Sequence, residues 1–215
     1  MMVLSEIRQE ARGKMQGLWG TCVPIWLIYI LIMMVPGIIF SKIPVVQFVI
    51  SLVLGGPFIY ALSKIFLRIC NDEVIEIGQL FEGFSEFTRA FTAYALMMLY
   101  VLLWTLLLII PGIIAGLGYG MTFFIMADNP NIAAGDALRQ SKEMMNGHKW
   151  ELFWLGLSFI GWMLLCIVTF GIGLLWLESY IMASYVVFYQ KISGKKGKVE
   201  LTPDEKFFKE TASIL

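Results

Sequence analysis

Charged residues are scarce in this sequence, and the patterns that mark disulfide-rich and nucleic-acid-binding proteins are missing. Asp, Glu, Lys and Arg make up 15% of the chain, against about 25% in an average soluble domain. The 16 basic and 16 acidic residues cancel, so net charge gives no attraction to nucleic acid. The cysteines, Cys22, Cys70 and Cys166, are odd in number and form no C-x-x-C pair, which argues against a disulfide framework.

Sequence signals for catalysis are also missing. The chain has one histidine, His148, and lacks G-x-x-x-x-G-K-[ST], H-E-x-x-H and G-x-S-x-G, the motifs of phosphate binding, zinc proteolysis and serine hydrolysis. A histidine-activated nucleophile would depend on His148 alone. We therefore predict that the protein is not an enzyme and that it uses no cofactor and no metal ion.

Long apolar runs dominate what is present, since hydrophobic residues make up 59% of the chain. A membrane core of ~30 Å needs about 20 helical residues. The runs predict an all-α, polytopic membrane helical bundle with six crossings in three hairpins, over Gly20–Phe40, Pro44–Leu67, Phe91–Ile110, Ile113–Ala127, Leu152–Thr169 and Ile172–Gln190. A four-crossing alternative would make 91–127 one overlong helix, but Pro111–Gly112 in its middle favours a turn.

The basic residues lie on one side of this predicted arrangement. The odd-numbered connections contain only Lys42. The termini and the even-numbered connections contain Arg8, Arg12, Lys14, Lys64, Arg68, Arg89, Arg139, Lys142, Lys149, Lys191, Lys195, Lys196, Lys198, Lys206 and Lys209. Because basic loops remain in the cytoplasm, we predict that both ends are cytoplasmic.

Polar connections on the predicted cytoplasmic side have helical patterns of their own. Amphipathic spacing predicts interfacial helices over 3–18 and over 72–91, the second with a Phe-rich face. A third is predicted over 131–147, capped by Asn131. We treat 1–190 as one membrane domain and 191–215 as a basic cytoplasmic tail with a possible short helix over 203–212. No cleavable signal is evident before the first run, so the first crossing is expected to be retained.

Several segments together resemble a known family. They are Leu80–Phe84, Leu106–Ile114, Ala127–Pro130, Ala137–Lys142, Met145–Lys149, Leu157–Trp162 and Thr169–Gly173. In this order they resemble the bacterial integral-membrane family catalogued as domain of unknown function 975, from Ala11 to Tyr189. The resemblance implies a multi-pass protein of the bacterial cell (inner) membrane. It implies no mechanism.

Glu178 is the candidate for chemistry inside the membrane, with Tyr180 beside it in the last predicted crossing. A carboxylate at membrane depth costs at least ~2.5 kcal/mol on insertion scales and suggests a functional site. Glu178 could bind a cation or a proton. The alternative is that it stays near the outer headgroups and pairs with water, Tyr180 or Lys42.

Glycine and proline mark two further features of the predicted crossings. Gly112, Gly116 and Gly120 recur every four residues, which predicts close helix packing, with dimerisation or a mobile helix as alternatives. Gly55, Gly56 and Pro57 predict a helix break in the second crossing. Such a break lines substrate sites in transporters but is also common as a plain kink.

The remaining candidate residues form a polar cytoplasmic surface: Asp128, Asn129, Asn131, His148 and Lys149. Turn, capping and interface-anchoring roles are the simpler interpretation of these residues. Lys195, Lys196 and Lys198 in the tail are expected to contact anionic headgroups. We predict a non-catalytic binding or scaffolding role at the cytoplasmic face, with a protein partner possible there and no nucleic acid. A small permease or channel for a solute or lipid is the alternative. The oligomeric state stays open.

Overall fold

The computed structural model describes residues 4–40, 42–169 and 171–194, and every regular element in this part of the chain is helical. The α-helices are α1 (Leu4–Lys14), α2 (Trp19–Ile39), α3 (Pro44–Cys70), α4 (Phe87–Leu107), α5 (Ile109–Tyr119), α6 (Thr122–Asp128), α7 (Ala134–Met144), α8 (Lys149–Leu157), α9 (Ile160–Val168) and α10 (Leu174–Ser193). A 3₁₀ helix (Ile77–Phe84) lies between α3 and α4. The all-α prediction is confirmed. The basic tail and its predicted helix lie outside the described residues.

Five helical stretches are long and apolar enough to cross a membrane. They are α2, α3, α4, the combined α5–α6 segment Ile109–Asp128, and the Lys149–Cys166 segment of α8 and α9. These stretches agree with a multi-pass membrane protein. The sixth predicted crossing, 172–190, corresponds to α10, which is not among the five. Its 20 residues include Glu178, Gln190 and Lys191, which lower its mean hydropathy. The count of six crossings therefore stays a prediction.

Helix α10 is polar for a membrane helix because much of it lies inside the bundle. It contacts α1, α2 and α3, and α3 also contacts α6. The side chains of Phe58, Phe66 and Phe188 from α3 and α10 are at most 1% exposed. By contrast, α4 buries only Ala90 and Ala93. A helix that packs among other helices does not need the apolar surface of one that faces lipid.

Three shorter elements pack against helices of the bundle. Helix α1 contacts α10, the 3₁₀ helix contacts α3, and α7 contacts α6. The predicted helix over 72–91 is shorter than expected: it is the 3₁₀ helix, and α4 begins separately at Phe87. The predicted cap at Asn131 is wrong, because α7 begins at Ala134, with Ala133 before it and no side-chain cap.

The turn predicted at Pro111–Gly112 lies earlier, at Leu108. Leu108 is extended, with φ −161° and ψ 143°, between α4 and α5. Pro111 then falls in the first turn of α5, where its missing N–H has no partner to lose. Gly112 is needed for the close return of the chain, because a Cβ there would lie 2.1 Å from Thr105 Oγ1.

Candidate functional site

A polar cluster forms where the end of α3 meets the 3₁₀ helix. Arg68 donates two hydrogen bonds to Glu82, from Nη1 to Oε1 at 3.0 Å and from Nη2 to Oε2 at 3.1 Å. Lys64 Nζ lies 3.2 Å from Glu82 Oε2. The hydrogen bonds from Arg68, with a smaller contribution from Lys64, hold the pKa of Glu82 below its ordinary value although burial opposes this. Glu82 therefore fastens the 3₁₀ helix to α3.

Tyr60 and Arg89 extend the cluster from α3 to α4 and α6. The buried Tyr60 hydroxyl donates to Glu86 Oε1 at 3.1 Å and accepts a hydrogen bond from Arg89 Nη2 at 2.9 Å. Arg89 Nη2 also donates to the Met126 carbonyl at 2.8 Å, and Arg89 Nη1 lies 3.0 Å from Glu86 Oε2. The guanidinium lies 5.3 Å from the centre of the Tyr60 ring, close enough for a cation–π interaction.

Asp128, one of the predicted surface residues, belongs to the same end of the bundle. The Tyr189 hydroxyl of α10 donates to Asp128 Oδ2 at 2.7 Å, and the Tyr189 ring stacks on Phe124 at 5.7 Å. Asn129 closes its own helix, because its Nδ2 donates to the Ile125 carbonyl at 3.1 Å. Asp128 thus ties α6 to α10, whereas Asn129 has a local capping role.

His148 and Lys149 lie at the start of α8, where Glu151 and Gly118 are their neighbours. His148 Nδ1 lies 2.9 Å from Glu151 Oε2. Lys149 lies against Gly118 of α5, with Nζ 3.9 Å from the position that a Cβ on Gly118 would take. Within residues 4–40, 42–169 and 171–194, no three His, Cys, Asp or Glu side chains are grouped to hold a metal ion.

Ser141 of α7 joins the junction between α5 and α6. Its hydroxyl donates to the Gly118 carbonyl at 2.9 Å and accepts a hydrogen bond from the Met121 N–H at 3.2 Å. Both backbone groups lie where the ladder of hydrogen bonds is interrupted, and such groups need other partners when buried. The short helix α7 is therefore anchored to the apolar segment formed by α5 and α6.

Glu178 and Tyr180 point to different neighbours and do not form one site. The Tyr180 hydroxyl donates to the Arg8 carbonyl of α1 at 3.1 Å. The half-buried Glu178 interacts electrostatically with Tyr29 and Tyr185. The described part of the chain shows no hydrogen bond and no ion pair for the Glu178 carboxylate, so the predicted pairing with Tyr180 or Lys42 is not observed there.

The predicted helix break at Gly55, Gly56 and Pro57 is not observed, because α3 continues through all three residues. These glycines allow close packing instead. A Cβ on Gly56 would lie 2.7 Å from the Ala90 carbonyl oxygen of α4. A Cβ on Gly83 of the 3₁₀ helix would lie 1.9 Å from the Pro57 carbonyl oxygen. The feature is a crowded helix contact rather than an opening.

Gly112, Gly116 and Gly120 do not share one packing contact, which corrects the prediction for Gly116. Gly112 is pressed against Thr105, as described above. A Cβ on Gly120 would lie 3.2 Å from Leu152 Cδ2, and one on Gly116 would meet no atom within 4 Å. Gly116 lines a cavity of about 380 Å³ between α3, α4, α5, α6 and α10, which Tyr185 also lines.

The predicted site residues did not include seven of the residues described above: Tyr60, Lys64, Arg68, Glu82, Glu86, Arg89 and Tyr189. A sequence signal for part of this set exists. Residues 60, 64 and 68 recur every four positions, which places one aromatic and two basic side chains on one face of a helix. The two glutamates 82 and 86 have the same spacing, so the two faces are complementary in charge.

Comparison with known proteins gives one match. The family described as "Protein of unknown function (DUF975)" matches residues 1–115 and 105–196, which confirms the resemblance stated above. No curated protein matches, and no solved structure matches.

Proposed function

Since the chain belongs to the DUF975 family, whose description carries no activity, we propose from its structure that it is a multi-pass bacterial cell-membrane protein with a non-catalytic binding or scaffolding role at the cytoplasmic face. In this proposal the chain crosses the membrane six times in three hairpins, α2–α3, α4 to α5–α6, and α8–α9 to α10. Both termini are cytoplasmic.

The sixth crossing is α10. It has 20 residues, enough to cross a core of ~30 Å. Its Ser179, Ser184 and Tyr189 side chains are at most 2% exposed, so these three polar groups are kept from lipid by neighbouring helices. With six crossings, Lys42 is the one basic residue on the outer side, in agreement with the distribution of positive charge in membrane proteins.

The observation that carries the proposed role is the position of the ion pairs. All seven that occur among the described residues join groups on the proposed cytoplasmic side, including Lys14–Asp72, Arg68–Glu82, Arg139–Asp136 and Lys191–Glu10. They hold α1, the 3₁₀ helix and the end of α3 in fixed places. A structured face of this kind favours recognition of another molecule, and the large side chains that fill the core disfavour a path through it.

Helix α7 offers the most direct place to test recognition. It buries Ala137, Leu138 and Ser141 and exposes Asp136 and Arg139. The Arg139 side chain is 72% exposed. A partner in the native membrane can be fixed with a short amine-reactive cross-linker and recovered after polymer extraction. We expect Arg139→Glu to reduce the amount of recovered partner severalfold.

Lys42→Glu is the matched control, because it makes the same change of charge at an exposed position on the proposed outer side. It should leave recovery unchanged. Equal recovery from wild-type protein, Arg139→Glu and Lys42→Glu would contradict a recognition role for the α7 face.

A small permease or channel is the second candidate, and Glu178 favours it. The Glu178 carboxylate interacts with Tyr185, and Tyr185 lines the cavity of about 380 Å³ described above. Transport through this region predicts that Glu178→Gln changes a proton- or cation-coupled flux in proteoliposomes. Equal flux from the wild-type protein, Glu178→Gln and protein-free vesicles would remove this alternative.

A further inference from the structure

We propose that the protein binds an anionic phospholipid in the groove between α4, α5, α7 and α8, with the phosphate at Lys142 and Lys149 and an acyl chain along Trp104, Pro111 and Ile114. The groove has a volume of about 180 Å³ and is also lined by Tyr119. Placing this lipid in the cytoplasmic leaflet rests on the proposed orientation. The binding itself does not.

The two lysines are available to an external anion. Neither Lys142 nor Lys149 has an ion-pair partner in the described part of the chain, and no carboxylate lines the groove. Arg139 differs from these two lysines because it has an ion-pair partner: its Nη2 lies 3.1 Å from Asp136 Oδ1 on the same helix. Lys149 lies over the backbone of Gly118, with Cε 3.5 Å from the position of an added Cβ. The absence of a side chain at Gly118 thus leaves room for Lys149 at the mouth of the groove.

The groove continues from these charges along an apolar wall. Gly118 and Pro111 are seven residues apart on α5, which corresponds to ~10 Å of helix. Trp104 and Ile114 are each 46% exposed, so this apolar wall is not fully covered by other parts of the bundle. A small water-soluble anion would leave the wall unused. An amphipathic ligand with a negative head and an apolar chain matches both parts, and phosphate is the anion that such lipids carry.

The same arrangement recurs at the N-terminal helix. Helices α1 and α7 both have 11 residues and end in a turn that contains a glycine with positive φ, Gly17 at +81° and Gly147 at +89°. Arg12 of α1 occupies the position of Lys142 in this repeat. It lies beside a larger apolar groove of about 320 Å³ lined by Trp19, Trp162 and Trp176. No ion pair of Arg12 is present among the described residues. Two related places therefore combine a basic side chain with an apolar groove.

The test measures lipid binding to the purified full-length protein in detergent by native mass spectrometry. Dioleoylphosphatidylglycerol and dioleoylphosphatidylcholine have the same acyl chains and differ in net charge, and sn-glycerol 3-phosphate supplies the phosphate alone. We expect the wild-type protein to retain the phosphatidylglycerol in preference to the phosphatidylcholine and to retain no glycerol phosphate. Lys142→Gln with Lys149→Gln should weaken that preference roughly 30-fold, from ~1 kcal/mol for each lysine.

Arg139→Gln is the matched control, since it removes one positive charge from the same helix at a residue that already has a partner. It should retain the preference of the wild-type protein. Ile114→Trp provides a second variant that keeps both lysines and fills the groove, and it should reduce retention of phosphatidylglycerol. The proposal is overturned if the two lipids bind equally to the wild-type protein, if the double lysine variant keeps the preference, or if glycerol phosphate binds as well as the lipid. These lipid measurements do not depend on the partner proposed at α7. Failure of the cross-linking test with Arg139→Glu would therefore leave their expected results unchanged.

Discussion

At the scale of single residues, Arg89 is the most highly connected side chain of the polar cluster. It contacts the Tyr60 hydroxyl, the Met126 carbonyl and Glu86, and these groups belong to α3, α6 and the entry to α4. The acidic residues before α4 lie in the segment 72–91, which was predicted to form an interfacial helix. The spacing of 82 and 86 was visible in the sequence, but it could not show which face of α3 these carboxylates meet, because that pairing depends on tertiary structure.

Removing the Arg89 side chain should destabilise the protein strongly. Arg89→Ala removes the cation beside Glu86, which keeps only the hydrogen bond from the Tyr60 hydroxyl, and the donor to the Met126 carbonyl. The Arg89 side chain is only 17% exposed. Loss of one partner from a partly buried charged network costs on the order of 2–4 kcal/mol, so thermal unfolding in detergent should occur well below the wild-type temperature. Arg139→Ala, at a side chain that is 72% exposed, should change stability by less than ~1 kcal/mol. Equal effects of the two variants would contradict the assigned role of Arg89.

Because of Glu82, the stability of the folded protein should depend on pH in the acid range. Hydrogen bonds from Arg68 lower the pKa of Glu82 in the folded protein, so the folded state binds this proton less readily than the unfolded state does. The stabilisation is present above the unfolded pKa and is lost as pH falls through the folded pKa. As pH falls below the ordinary pKa of a Glu carboxyl, about 4.3, the unfolding temperature of the wild-type protein should therefore fall more steeply than that of Glu82→Gln. Parallel pH profiles for the two proteins would disprove this contribution.

At the scale of elements, the long helices were predictable and their junctions less so. The apolar runs predict α2 and α3 because a continuous apolar stretch of this length has few other stable forms. The Pro-Gly pair, however, was assigned to the turn itself, whereas the chain turns at Leu108 and uses Gly112 to approach Thr105. Proline is equally suited to a turn and to the first turn of a helix, so its presence alone does not place the boundary.

The contact between the 3₁₀ helix and α3 gives a prediction with an internal control. A Cβ on Gly83 would lie 1.9 Å from the Pro57 carbonyl oxygen, whereas one on Gly78 of the same helix would meet nothing within 4 Å. Gly83→Ala should push the 3₁₀ helix away from α3 and lower stability by about 1–3 kcal/mol or more. Gly78→Ala should have little effect. The comparison uses thermal unfolding of both variants in the same detergent, and similar unfolding temperatures would contradict this packing.

At the scale of the whole molecule, the contacts suggest three related units. In each unit a short helix precedes a pair of long helices. The 3₁₀ helix and α7 pack against the second helix of the preceding pair, α3 and α6 respectively, whereas α1, which has no preceding pair, packs against α10 of the last pair. The similarity in sequence between Met34–Ile39 and Ile109–Ile114 does not mark these units, because the first segment ends α2 and the second begins α5. The interior position of α10 was not predictable, because its composition is set by helices distant in the sequence.

The central claim is that the chain crosses the membrane six times and keeps both ends in the cytoplasm. Labelling of introduced cysteines with a membrane-impermeant maleimide tests it most directly, because the three native cysteines are buried. The sites are Lys42→Cys, Arg139→Cys and Lys191→Cys, all at exposed positions. In intact cells or right-side-out spheroplasts only Lys42→Cys should be labelled, and the other two should react after permeabilisation. Labelling of Lys191→Cys before permeabilisation would mean that α10 does not cross, and would contradict the account.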